Sequence, residues 1–251
     1  AIAIREHVQG SDHPDLAQSL SNLANIIYYQ RRYGEAKELY ERSMGIRKKA
    51  LGSIHPEIAD NLDNIGILFH AQGKLDNAII YYEQALEVRK QALGENHPDV
   101  AYSYDAIARI YQAQGEYQKA VDYFQKSLET YEKTLGPDHA QLPNTLHSLA
   151  QIQQIIGNED EAESLHRRGL KIREDHWAPD HFRVCLSLEE LGYFYMTAER
   201  YEEAEKSYRR ALKILEKEEG MKERLVYLLS HFANTLTMLQ KYEESEQILK
   251  R

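Results

Sequence analysis

Five histidines, His13, His55, His97, His139 and His181, stand 42 residues apart. The same interval separates Leu51-Gly52, Leu93-Gly94 and Leu135-Gly136, and it separates Ala36, Ala78, Ala120, Ala162 and Ala204. Three kinds of landmark in one register mark an internal repeat, and a repeat of this length is one supersecondary unit copied along the chain. The copy that begins at His55 reads as two amphipathic helices. Pro56 suits a first helical position, where its missing N–H would have no intrahelical partner, and Glu57 places negative charge at the positive end of the helix dipole. Ile58, Leu62, Ile65, Leu68 and Phe69 then recur at helical spacing. Gly73 permits a tight turn, a second helix follows through Ala78, Tyr82, Ala85, Leu86 and Val88, and Leu93-Gly94 ends it. A single hairpin of this kind cannot bury both helices, so it requires copies on either side.

The landmarks lay out one array over residues 1–251. Residues 1–10 match the end of a preceding second helix. Repeats follow at about 11–52, 53–94, 95–136, 137–178, 179–219 and 220–251, the last being truncated. Both ends have the look of cuts within a longer protein. Repeat four drifts: Gln153 stands where the others have Ile27, Phe69 and Tyr111, His166 stands where they have Tyr40, Tyr82 and Phe124, and Gly169 replaces a Ser or Ala. This is either a looser spot or a site with a purpose. His176-Trp177-Ala178 replaces the Leu-Gly stop, with Trp177 packing as the leucine does or anchoring a partner. In repeat six the register shortens by one, so that Ala204 corresponds to Ser245.

Asn22-Leu23-Ala24, Tyr28-Tyr29, Tyr33-Gly34-Glu35-Ala36 and Tyr40 resemble the tetratricopeptide repeat, a helix–turn–helix usually of 34 residues. The extra turns fall at the end of the second helix, in GIRKKALGSIHP and LEVRKQALGENHP. This longer form is similar to the repeats of kinesin light chains and related bacterial arrays. The resemblance implies an all-α solenoid, a right-handed superhelix of hairpins whose first helices line a concave groove for a peptide or helical segment of a partner protein. The alternative is a structural or regulatory arm docked on another domain of a longer protein, such as an NTPase or protease.

No phosphate loop, dinucleotide fingerprint, paired-cysteine motif or HExxH occurs, so no catalytic residue, cofactor or metal site is expected. The histidine ladder cannot share one ion, because neighbouring helix axes stay ~8–10 Å apart. A His-Pro-acid start instead lets the imidazole bond a free backbone N–H. Cys185 sits where a small apolar residue would pack, and a lone cysteine forms no internal disulfide, which favours an intracellular, cytoplasmic setting. The net charge of -9 argues against nucleic acid and anionic membrane as partners. Glu216–Glu219 read as a solvated helix end.

The peptide-binding face is expected to hold Asn22, Asn25, Tyr28, Tyr29, Asn64, His70, Tyr102, Arg109, Asn144, His147, Gln151 and Tyr193. Amides offer donor and acceptor together and can pair with an extended backbone without reading its sequence, although Asn22 and Asn64 could equally tie neighbouring helices together. Ser21, Asp60, Asp63, Ser148, Glu189 and Glu190 fall on the same face, and Arg109 is its one expected cation. Some tetratricopeptide domains grip a C-terminal carboxylate with two asparagines and three basic residues. Asn25 and Asn64 match the asparagines, but Ser21, Tyr102 and Ala106 stand at the basic places, so that clamp is incomplete. The basic cargo groove of kinesin light chains is not matched either.

Overall fold

The computed structural model describes residues 2–218 and 220–250 and divides them into two compact units, Ala1–Leu135 and Gly136–Arg251. The first unit contains α1 (Ile2–Gln9), α2 (Pro14–Tyr29), α3 (Tyr33–Leu51), α4 (Pro56–Ala71), α5 (Leu75–Leu93), α6 (Pro98–Gln114) and α7 (Tyr117–Leu135). The second contains α8 (Leu142–Ile155), α9 (Glu159–His176), α10 (Phe182–Thr197), α11 (Tyr201–Leu215), α12 (Lys222–Met238) and α13 (Tyr242–Leu249). No strand occurs among the described residues. From α2 onward the helices alternate between first (A) and second (B) members of hairpins, and within each unit consecutive helices pack on one another.

Four of the ladder histidines, His13, His55, His97 and His181, are N-cap residues, and the fifth, His139, makes the same bond ahead of its helix. Nδ1 of His13, His55, His97, His139 and His181 accepts a hydrogen bond from the backbone N–H two residues on, at 3.2, 3.3, 3.1, 3.3 and 3.0 Å. At the four caps the bond satisfies a donor that the first helical turn leaves unpaired. Repeat four starts late. Its His139 is followed by Ala140 rather than proline, the repeat's proline lies at Pro143, and α8 begins only at Leu142. At the other end of the A helices the chain reverses through a left-handed residue at Arg31, Gly73, Gly115, Gly157, Glu199 and Gln240, with φ of 61°, 73°, 78°, 87°, 58° and 59°. The next N–H reaches back to close the turn, as from Lys74 to the Phe69 carbonyl at 2.9 Å. Three repeats therefore accept the cost of a side chain in this conformation.

The repeated alanine marks where A and B helices approach most closely: Ala36, Ala78, Ala120, Ala162 and Ala204 are fully buried. One turn further along the B helices, Tyr40, Tyr82, Phe124, His166 and Tyr208 are buried as well. A Cβ on Gly66 would come within 3.1–3.2 Å of the Tyr82 ring, and one on Gly192 would come to 2.7 Å from the Tyr208 ring. At both places the missing side chain is what lets the ring seat. Leu16, Leu20, Ile58, Ile65, Ile107, Leu142 and Leu146 of the A helices are buried in the core, each contributing roughly 1.5–3 kcal/mol by burial.

Candidate functional site

All twelve expected contact residues lie on A helices: Asn22, Asn25, Tyr28 and Tyr29 on α2, Asn64 and His70 on α4, Tyr102 and Arg109 on α6, Asn144, His147 and Gln151 on α8, and Tyr193 on α10. Tyr29 is 83% exposed and packs edge-on against Tyr28, with ring centroids 5.4 Å apart. Tyr102 is half exposed, and so is Tyr193, whose ring meets His231 edge-on at 5.4 Å. His70 is exposed and Asn64 half-buried. Asn22 accepts from Gln18 of its own helix at 2.9 Å. Other polar positions expected on this face are engaged in packing. Asn25 accepts the Tyr40 hydroxyl, and Asn144 accepts from Arg173 at 2.9 Å. Ser21, Asp63 and Ser148 are buried. The packing of each A helix on the B helix of its own hairpin recruits these short side chains.

The expectation that Arg109 is the only cation on this face does not hold. Arg109 is itself tied to Asp105 at 2.7 Å, and further arginines arrive from the B helices. Arg47, Arg89 and Arg173 occupy one repeat position and are all buried. Each bridges the A helix of its own hairpin and the A helix of the next. Arg47 on α3 donates to Gln18 at 2.9 Å and to Asn61. Arg89 on α5 meets Asp60 at 2.9 Å, Asp63 at 2.7 Å and Ser103 at 2.7 Å. Arg173 on α9 reaches Asn144 and Ser187, both at 2.9 Å, and Glu190 at 3.4 Å. Repeats three and five have Tyr131 and Leu215 there. The signal was present in GIRKK, EVRKQ and KIRED at one register, but nothing in a B-helix pattern says that a charged residue points inward.

These ties set the electrostatics. Burial pushes the Asp63 carboxyl up to about 6, with Arg89 pulling the other way. Burial works against the Arg89 charge too, but Asp63 and Asp60 hold its pKa above the ordinary value. In repeat four burial wins and Arg173 lies below the ordinary arginine value. Burial raises Glu190 to about 7 against the pull of Arg173 and Arg224, and it lowers the His166 imidazole to about 4. His166 is almost fully enclosed, with its ring centroid 5.2 Å from that of His147 and 5.5 Å from that of Phe194. Nδ1 of His147 lies 3.6 Å from a Glu190 carboxylate oxygen. A cavity of about 380 Å³ opens beside this group, lined by His147 and Gln151 of α8, Glu189, Glu190 and Tyr193 of α10, and Arg224 and Tyr227 of α12. Arg224 is paired with Glu189.

Other singled-out residues have structural places. Cys185 is buried, its thiol 3.5 Å from the Ala211 carbonyl, and burial pushes its pKa up, opposite to what a nucleophilic thiolate needs. Trp177 is half-buried, stacked on His181 at 5.9 Å with the Arg183 guanidinium 5.0 Å from its ring. Glu216, Lys217 and Glu218 are exposed, and Glu219 lies outside the described residues. No helix among the described residues is long and apolar enough to cross a membrane.

The sequence profile of the tetratricopeptide repeat family matches residues 1–49, 15–91, 57–133, 104–175 and 183–251, and the chain belongs to that family. Its solved relatives include the nearly identical TPR-like repeats of a kinesin light chain protein from Podosopora anserina. These are 27% identical, with 83% of this chain and 99% of that one covered at a TM-score of 0.69. BtubC (BKLC) from P. vanneervenii is 22% identical over 87% of this chain and 86% of that one, with a TM-score of 0.72. A tetratricopeptide repeat protein from Parabacteroides merdae is 19% identical over 93% and 77%, with a TM-score of 0.60. The last two share the fold. No curated protein matches the chain.

Proposed function

We propose that the A-helix face holds an extended or helical segment of a partner protein, and that the segment is neutral or mildly basic with apolar anchors. Membership of a family of interaction scaffolds supports the general role. The observation that carries the particular reading is the cavity shared by α8, α10 and α12. It places two exposed tyrosines, Tyr193 and Tyr227, beside the amide of Gln151 and the carboxylates of Glu189 and Glu190. Tyrosine supplies contact area at low entropic cost, and the amide supplies backbone pairing. The arginines of this face are already tied to acids, amides and serine hydroxyls, so it presents no open basic track to an acidic peptide.

A peptide array followed by fluorescence anisotropy across a salt series tests this. Tyr193→Ala combined with Tyr227→Ala is expected to weaken binding at least tenfold, and moderate salt to weaken it only slightly, since few opposite charges are brought together. Asn64→Ala is expected to cost about 1 kcal/mol per backbone bond lost. Tight binding confined to acidic peptides and abolished by moderate salt would refute the reading.

A further inference from the structure

Repeats four and five together gather three metal-ligating side chains, a cluster without a counterpart among the described residues. The ligand atoms of His147 on α8, His166 on α9 and Glu190 on α10 all lie within 4.8 Å of one another. The corresponding residues are Asp105, Phe124 and Ser148 one repeat earlier, and Asp63, Tyr82 and Ala106 one repeat before that. His166 thus replaces a packing aromatic at the one place where a second imidazole faces it. We propose that His147, His166 and Glu190 form a site for one transition-metal dication of the zinc class, which clips α8, α9 and α10 together.

Two imidazoles and one carboxylate suit a borderline-soft dication such as Zn²⁺ or Co²⁺, and do not suit Mg²⁺ or Ca²⁺, which prefer all-oxygen shells. Zinc holds such ligands at 2.0–2.2 Å in a tetrahedron, which places the ligand atoms roughly 3.3 Å apart. The present separations require the three side chains to converge by up to about 1.5 Å, shared among three sets of small χ adjustments. His147 and Glu190 also line the cavity of about 380 Å³, so a fourth position has room for water. Arg224, paired with Glu189, also lines the cavity, but the cation in contact with Glu190 is Arg173. Its contact with Glu190 is 3.4 Å, while its bonds to Asn144 and Ser187 are 2.9 Å each, so those two keep it anchored if the metal takes the carboxylate. Its charge stays close, and the affinity is therefore expected to be micromolar rather than the far tighter binding of an all-cysteine structural site.

The test uses the whole chain stripped with EDTA and titrated with ZnCl₂ and CoCl₂ by calorimetry and absorption. One ion per chain is expected, with visible Co²⁺ bands of four- or five-coordinate geometry and a rise in Tm on adding either metal. His166→Phe, which installs the residue of the preceding repeat, and Glu190→Gln should each weaken binding at least tenfold. His139→Asn, which lies outside the cluster and keeps a side-chain acceptor for the Gln141 N–H, should leave it unchanged. Circular dichroism checks that the variants fold. Imidazole ¹⁵N spectra of the unmutated chain give a second reading, with two histidines shifting together at one equivalent of Zn²⁺. No saturable binding near one equivalent, or binding that survives both His166→Phe and Glu190→Gln, overturns the proposal. So does binding that His139→Asn abolishes.

Discussion

Repeats two and four carry the same buried arginine and give it different partners. Arg89 closes on two carboxylates, Asp60 and Asp63, and on the Ser103 hydroxyl. Arg173 closes on the neutral Asn144 and Ser187 and touches Glu190 only at 3.4 Å. In repeat two the acid is consumed by the tie, and the A-helix face above it is Tyr102 with the guanidinium 5.7 Å from its ring. In repeat four the carboxylate is left to face His147 and, through it, His166. One tie therefore serves as a closed ionic bolt in the first unit and leaves a titratable, ligand-rich cluster in the second. A repeat protein can localise function in this way without disturbing its scaffold, because each hairpin packs only on its neighbours.

The sharpest way to break the comparison is to cut the ties. Arg89→Met leaves the Asp63 carboxylate buried without its cation and should destabilise the chain by about 3–5 kcal/mol in denaturant titrations. Arg173→Met leaves neutral acceptors and the partly exposed Glu190, and should cost about 1–3 kcal/mol. Adding Asp63→Asn should recover much of the Arg89→Met loss. Equal losses for the two arginine variants would mean that the acids make no difference.

The next largest effect depends on pH. His166 sits near 4 when folded, against an ordinary 6.5. Its neutral-state packing is fully present above pH 6.5 and is lost as pH falls from 6.5 towards 4, because the unfolded chain takes up the proton first; the loss approaches roughly 3 kcal/mol. Glu190, raised to about 7, acts in the opposite sense and adds stability as pH falls from 7 to 4.5. His166→Phe removes the first contribution and keeps the second. In EDTA, the Tm of His166→Phe minus that of the unmutated chain should grow steadily from pH 7 to pH 4.5, and a constant difference would show an imidazole that titrates normally.

Glycines sharpen the comparison further. Gly192→Ala would press a Cβ to 2.7 Å from the Tyr208 ring and should cost about 1–3 kcal/mol. The smallest expected effect is a gain. Gly169 lies inside α9 with 3.7 Å of clearance to Pro143, and Ser43, Ala85, Ser127 and Ala211 fill the same register elsewhere. Gly169→Ala should therefore stabilise repeat four by about 1 kcal/mol through the unfolded chain's lost freedom. Gly66→Ala in repeat two should gain less, since the Tyr82 ring must give way. Thermal melts of both variants test whether the missing methyl group costs repeat four stability.

The drift in repeat four was visible as Gln153, His166 and Gly169 out of pattern, but its consequence was not. Gln153 is buried with its amide oxygen accepting from Asn158 at 2.9 Å, a local bond that no periodicity announces. His147 gave no sign of meeting His166, because the two lie on facing helices and the meeting depends on how the hairpin closes.

What the sequence determined by itself was everything carried by local chemistry at a fixed period. It set helix starts by His caps and first-turn acids, helix reversals where a glycine such as Gly73 permits a tight turn, and the buried alanines on which each hairpin closes. These depend on residues a few positions apart, and a repeat states them several times over. Tertiary structure decided which polar side chains are consumed by packing and which remain. Asn25 receives the Tyr40 hydroxyl and Asn144 the Arg173 guanidinium, partners on the second helix of each hairpin that no local pattern specifies. Arg47, Arg89 and Arg173 became ties because burial makes a charged group seek partners, and those partners lie 14 and 29 residues away on two other helices. A pattern of period 3.6 says which way a side chain points along its own helix; only the packed hairpins say what it meets there.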